Sequence, residues 1–120
     1  MIVAGFGFRA GVTLAALQEA LERAGGAEGV THLATLAAKA PVLAALGATL
    51  GVPVVAVTPE RLAGQAVLTR SDRVAALYGT GSVAEASALA AAGPGARLSG
   101  PRAVSGDGSA TAAIAFGEIG

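Results

Sequence analysis

The chain is 120 residues long, with eight basic and eight acidic side chains, no cysteine and 13% charged residues. That length suits one domain with a single core, half of a dinucleotide-binding fold at most, since the complete fold needs about six parallel strands. The cancelled charge excludes the clustered basic face that nucleic acid or an anionic membrane would require, and the absence of cysteine removes disulfides, thiolate metal sites and thiol nucleophiles, pointing to a reducing, cytoplasmic setting.

Residues 2–6 (IVAGF) read as a buried strand. No basic residue precedes this run and Arg9 follows it closely, so no secretory leader is expected. Residues 13–24 read as a helix capped by Thr13, with Leu14, Leu17 and Leu21 inward and Gln18, Glu22 and Arg23 outward; Gly25-Gly26 ends it. VTHLAT (30–35) is a short strand, and 38–50 a second helix with Pro41 in its first turn and Leu43, Leu46 and Leu50 on one face. VPVVAV (52–57) is a β-branched run of the kind found in strands covered on both faces. Residues 40–57 carry no charge, but Pro41, Gly47, Gly51 and Pro53 divide them into helix, turn and strand rather than a membrane span.

Thr58-Pro59-Glu60 is the start of a short helix, and Ser71-Asp72 caps another through about Leu77. Ser82-x-x-Glu85 is a capping box that opens an Ala-rich helix ending at Gly93-Pro94-Gly95. Residues 96–100, 102–105 and 111–119 read as strands between Gly- and Pro-rich turns. The pattern predicts a single three-layer α/β/α domain over residues 1–120, with a mostly parallel or mixed sheet.

Gly5-x-Gly7-x-x-Ala10 before the first helix and Gly79-x-Gly81-x-x-Ala84 before the Ala-rich helix echo each other. Such turns let backbone approach a ligand and present helix N-terminal amides to an anion, or they simply allow tight turns and close packing of helix on sheet. A dinucleotide also needs an acidic residue near the end of the second strand, where THLATLAAK offers Lys39 instead. Arg9, Thr35, Lys39, Ser82 and Glu85 all follow expected strands or glycine turns, and together would form a net cationic rim suited to carboxylates, at the end of the sheet where α/β folds bind ligands. Read singly, Arg9 and Lys39 are surface charges, and Ser82 with Glu85 is a helix cap.

His32 is the only histidine and reads as a strand-edge residue, so neither a metal site nor another cofactor is expected. No G-x-S-x-G elbow surrounds Ser82, and no pair of carboxylates is set for acid/base work. Tyr78 reads as a half-buried aromatic. The Ala-rich helices offer flat faces for a second copy, so a homodimer is one assembly open to the chain.

In this order, GFGFRAG (5–11), LATLAAK (33–39), LGVPVVAVTPERLA (50–63), SDRVAALYGTGSVAEASAL (71–89) and ATAAIA (110–115) resemble the cobalamin-biosynthesis family that contains CobE and the C-terminal domain of CbiG. The resemblance spans nearly the whole chain. One departure stands out: the family usually carries an acidic residue a few positions after the lysine matching Lys39, where this chain has only APVLAAL. The resemblance implies a part in building the corrin ring of vitamin B12. CbiG, with additional N-terminal sequence, opens the ring-A lactone of cobalt-precorrin-5A and releases a two-carbon fragment as acetaldehyde. CobE-like proteins are the free-standing form of its C-terminal domain.

Beside a purely structural subunit, whose glycine turns only pack, two functions follow for this chain. The first is a carrier, chaperone or accessory protein that binds a carboxylated corrin intermediate through Gly5, Gly7, Arg9, Thr35, Lys39, Gly79, Gly81, Ser82 and Glu85, and passes it to other enzymes of the pathway. The second is a hydrolase of the cobalt-precorrin-5A type, alone or with a partner chain, for which Glu85 is the candidate catalytic base and the Gly79–Ser82 amides the oxyanion donors.

Overall fold

The structure is a computed structural model in which residues 1–117 are described. In chain order it contains β1 (Ile2–Phe8), α1 (Leu14–Ala24), β2 (His32–Leu36), a 3-10 turn (Ala37–Lys39), α2 (Ala40–Leu50), β3 (Val54–Val57), α3 (Pro59–Leu62), α4 (Asp72–Tyr78), α5 (Val83–Ala92), β4 (Arg97–Leu98), β5 (Ala103–Val104) and β6 (Ala110–Phe116). The six strands form one mixed sheet in the order β3-β2-β1-β6-β4, with β5 also paired to β6. β1, β2 and β3 are parallel, while β6 runs antiparallel to β1, with Gly5 opposite Ala113 and Gly7 opposite Thr111.

Alternation along β1 sorts the two layers. Ala4, Phe6 and Phe8 face Leu17 and Leu21 of α1 and Leu43 and Leu46 of α2. Val3, on the opposite face, joins Ala86 and Ala90 of α5, Leu62 of α3 and Val57. Helices therefore cover both faces of the sheet, in the expected three layers.

Several local expectations need revision. β1 runs through Gly7 to Phe8 instead of ending at residue 6, because both glycines pair within the sheet while their bare faces make room for α5. β3 is an edge strand with Ala56 exposed, so its apolar run is not covered on both faces. Leu14 stands at the first turn of α1, 39% exposed; Leu17 and Leu21 carry the packing. Thr58 makes no side-chain cap, and α3 begins instead with the Arg61 amide donating to the Thr58 carbonyl. Residues 118 and 119 of the expected last strand lie outside the described residues.

α5 is buried on nearly all sides, from Ala84 to Ala90. Its Ala-rich sequence fits this position, since a helix enclosed all round carries no polar stripe and small side chains let it lie close to neighbours. At Gly5 the approach is closest: a Cβ there would overlap the Ala84 carbonyl oxygen and stand 2.6 Å from the Ala88 nitrogen.

Candidate functional site

The parallel strands end at Phe8, Leu36 and Val57, and of the predicted rim residues Arg9 and Lys39 follow the first two of these ends in the chain. α5 enters the same edge by its amino end, where a Cβ at Gly7 would lie 3.5 Å from the Val83 side chain and 3.7 Å from the Ala84 nitrogen. Lys39 follows β2 and returns to β1: its ammonium donates to the Phe8 carbonyl and lies 5.2 Å from the centre of the Phe8 ring. Arg9, the next residue along, is exposed, with its amide donating to the Ser109 carbonyl at 3.0 Å. Lys39 thus reaches the end of β1 at Phe8, whose ring packs toward α1 and α2, and the Arg9 backbone is tied to the turn that leads into β6, while the amino end of α5 meets β1 on the other face, at Gly7.

Other predicted site residues have structural tasks. Gly5 and Gly7 lie inside β1 beneath α5, and the geometry matches the packing role rather than close approach to a ligand. The turn after β1 contains Thr13 instead, whose hydroxyl accepts the Ala16 amide at 3.1 Å and caps α1. Thr35 is fully buried within β2, its hydroxyl donating to the Phe6 carbonyl at 2.8 Å. Gly79 ends α4 in the left-handed conformation at φ +70°. Gly81 presses on residues 69–70, leaving no space for a side chain: a Cβ would stand 2.5 Å from the Thr69 carbonyl oxygen.

Ser82 and Glu85 form half of the expected capping box. The Ser82 hydroxyl accepts the Glu85 amide at 3.2 Å, while the Ser82 amide faces Thr80 Oγ1 at 3.5 Å rather than the Glu85 carboxylate. That carboxylate turns outward from the helix instead. Its Oε1 accepts the amides of Leu68 (2.6 Å) and Thr69 (2.8 Å), and its Oε2 accepts the Thr69 hydroxyl (2.5 Å) and the Arg102 amide (2.7 Å). Burial raises its pKa, but the hydrogen bonds from Thr69, Arg102 and Leu68 outweigh burial and hold the group below the ordinary glutamate value. Glu85 is therefore a buried anion with four donors, joining α5 to the loop before α4 and to the start of β5.

Sequence reasoning missed these partners because Leu68, Thr69 and Arg102 lie 16 to 17 residues away and carry no local signature. The same holds for the Phe8 carbonyl that anchors Lys39, 31 residues distant. A second acidic group, Asp107, organises the turn beside Arg9. It accepts the Ser109 hydroxyl at 2.7 Å, the Ser109 amide at 2.9 Å and the Ser105 hydroxyl at 2.7 Å, which lower its pKa to about 2.

A recess of about 590 Å³ lies elsewhere, between α1 and α2, lined by Leu21, Ala27, Leu46 and Leu50 with Gln18 and Glu22. It contains none of the rim residues. Among the described residues, no group of three or more His, Asp or Glu side chains could hold a metal ion, and no helix is long and apolar enough to cross a membrane.

Residues 2–115 match the family described as Cobalamin synthesis G C-terminus. The chain is similar in structure to CobE, a protein from the cobalamin (vitamin B12) biosynthetic pathway, with a TM-score of 0.79 and 31% identity over 96% of this chain and 89% of that one. Cobalamin biosynthesis protein ChiG from Agrobacterium tumefaciens is 37% identical, with a TM-score of 0.68, over 99% of this chain and all of that one. A cobalamin biosynthesis protein G homologue from Sulfolobus solfataricus shares the fold at a TM-score of 0.73 and 22% identity; this chain spans 98% of its own length but 37% of that longer protein. No curated protein sequence matches significantly. Matched over almost all of its length, the chain belongs to the cobalamin synthesis G C-terminal family and is a protein of the cobalamin biosynthetic pathway.

Proposed function

We propose that the protein binds a carboxylated corrin intermediate at the carboxyl edge of its parallel strands, and that it acts as a carrier or accessory protein in the cytoplasm, handing the ligand to other enzymes of the pathway. The observation that supports this reading is the Lys39 ammonium held on the Phe8 carbonyl at the end of β1, where the exposed Arg9 follows in the chain. Acetate and propionate arms are anions that suit such a place, pairing with the cations. Lys39 is set by its bond to Phe8, so little side-chain freedom is lost when a carboxylate arrives.

Lactone hydrolysis by the isolated domain would need a base with a free lone pair near the substrate. Glu85 is the carboxylate nearest the glycine turn in sequence, and its two oxygens already accept four hydrogen bonds while the residue is 0% exposed. That arrangement favours binding over hydrolysis. Titration of the protein with metal-free and cobalt-containing corrin intermediates, followed by absorbance and by mass spectrometry of the ligand, tests the proposal. Binding with unchanged ligand mass is expected; loss of a two-carbon fragment would make the protein a hydrolase, and absence of binding would overturn the site.

A further inference from the structure

The two edges of the sheet differ in how they are defended against pairing with another chain. On the β6 side, β4 and β5 are two residues long each, and β4 carries the exposed Arg97, the short and charged kind of strand that discourages an incoming strand. On the other side, β3 has no such defence. Residues 40–59 contain no charged side chain, although Val42, Ala44, Ala48, Pro53 and Ala56 among them are exposed.

Half of the backbone of β3 is unused. The Leu33 amide donates to the Pro53 carbonyl, and the parallel register sets Leu33 beside Val54. Alternation then turns Val55 and Val57 toward β2 and leaves the N–H and C=O groups of Val54 and Ala56 pointing out from the edge. Among the described residues no other strand takes them up. α2 lies directly over this strand, since a Cβ at Gly47 would stand 3.0 Å from both the Val52 carbonyl oxygen and the Val54 side chain. Leu46 and Leu50 line the recess against α1, so at about 3.6 residues per turn the exposed Ala44 and Ala48 occupy the opposite flank of α2, above the open edge.

We propose that this edge is a self-association surface, at which two copies pair β3 with β3 antiparallel about a two-fold axis at Val55, joining the two sheets into one with the α2 helices side by side. The free groups set the register: Val54 of one copy exchanges both hydrogen bonds with Ala56 of the other, and the axis repeats the exchange. Charge selects the occupant. Around a two-fold axis a residue meets itself or a near neighbour, so any charge there would face its like, and this face carries none. A partner chosen by its charge would find nothing on residues 40–59 to pair with. Ala44 and Ala48 are small enough for the two helices to lie about 8–10 Å apart above the joined strands. Strand and helix together would bury on the order of 1,000 Å² in total, the lower size of specific interfaces, so the dimer should be reversible. Antiparallel pairing puts the carboxyl edges of the two sheets at opposite ends of the dimer, and the proposal does not depend on the corrin-binding reading.

Sedimentation velocity of the wild type, Ala44→Glu and Ala56→Pro from micromolar to millimolar concentration tests it, with amide hydrogen exchange of the wild type at both extremes. Ala44→Glu places a charge at an exposed helix position, where the fold should tolerate it, and Ala56→Pro removes one outward donor from an edge strand. The wild type is expected to show a monomer–dimer equilibrium that persists at high salt, and both variants to associate at least about tenfold more weakly at unchanged circular dichroism. The Val54 and Ala56 amides should exchange more slowly as concentration rises. A wild type that stays monomeric throughout would overturn the proposal, as would open-ended oligomers, a dimer that forms equally well in Ala44→Glu, or a dimer that leaves the Val54 and Ala56 amides unprotected. Should Ala56→Pro not fold, Ala44→Glu and the exchange data decide the matter.

Discussion

At Glu85 the difference between a cap and an anchor can be measured. A glutamate that only closed a capping box would cost about 1 kcal/mol or less on conversion to glutamine. Here the carboxylate is buried and accepts three amides and a hydroxyl. In Glu85→Gln one oxygen becomes an NH₂ that faces donors, and the Thr69 hydroxyl can turn to accept but the Arg102 amide cannot. Leaving a buried donor unpaired while losing a charged acceptor costs about 2–4 kcal/mol. Chemical denaturation should show a loss of that size, with faster amide exchange at Leu68, Thr69 and Arg102; a loss of a few tenths would mean that the anchor contributes little. Gly5 permits an equally direct test. Gly5→Ala forces a methyl group into the Ala84 carbonyl, backbone that cannot swing aside, and should destabilise the fold by about 3 kcal/mol or more. At Gly7 the first obstacle is the Thr111 hydroxyl at 2.9 Å, so Gly7→Ala should cost less.

At the scale of elements, Glu85 makes the enclosure of α5 depend on pH. Its folded pKa lies below the ordinary value of 4.5, so the stability it contributes is fully present above that value and declines as pH falls through the lower folded pKa. Asp107, lowered from 3.8 to about 2, acts in the same direction on the β5–β6 turn, where solvent screens it. Denaturation midpoints should therefore hold steady from neutral pH down to about 5 and fall below 4.5, and Glu85→Gln should reduce that fall. If the variant keeps the wild-type acid profile, other carboxylates dominate. These elements were unequally legible in the sequence. Caps at Thr13, Ser71 and Ser82 located α1, α4 and α5 to within a residue or two, because a cap is a local bond between a side chain and an amide three residues on. The glycines of β1 misled the strand boundary, because a glycine that makes room for a helix and one that makes a turn look alike until the helix is in place. The edge position of β3 was hidden for a similar reason: strand order depends on long-range pairing that no local pattern records.

At the scale of the whole molecule, Lys39 reaches the end of β1, where Arg9 follows Phe8, only because β1 and β2 are parallel neighbours. Their sequence signal was the position of each after a strand, which is enough to name the edge but not the contact with Phe8. The two should separate on mutation. Arg9 is exposed and its side chain makes no hydrogen bond or ion pair among the described residues, so Arg9→Ala should change stability by no more than about 0.5 kcal/mol. Lys39→Ala removes the bond to the Phe8 carbonyl and the contact with its ring, and should cost about 1 kcal/mol while leaving the domain folded. If both cations face carboxylate arms, each variant should bind a corrin polyacid about tenfold more weakly, and the wild type should lose affinity as salt is raised because the rim is open to solvent. A bound ligand stabilises the fold by RT ln(1 + [L]/Kd), so the thermal shift at saturating corrin should shrink in both variants in step with affinity. A full thermal shift in Lys39→Ala, despite its lower starting stability, would show that the ammonium serves the end of β1 and not the ligand.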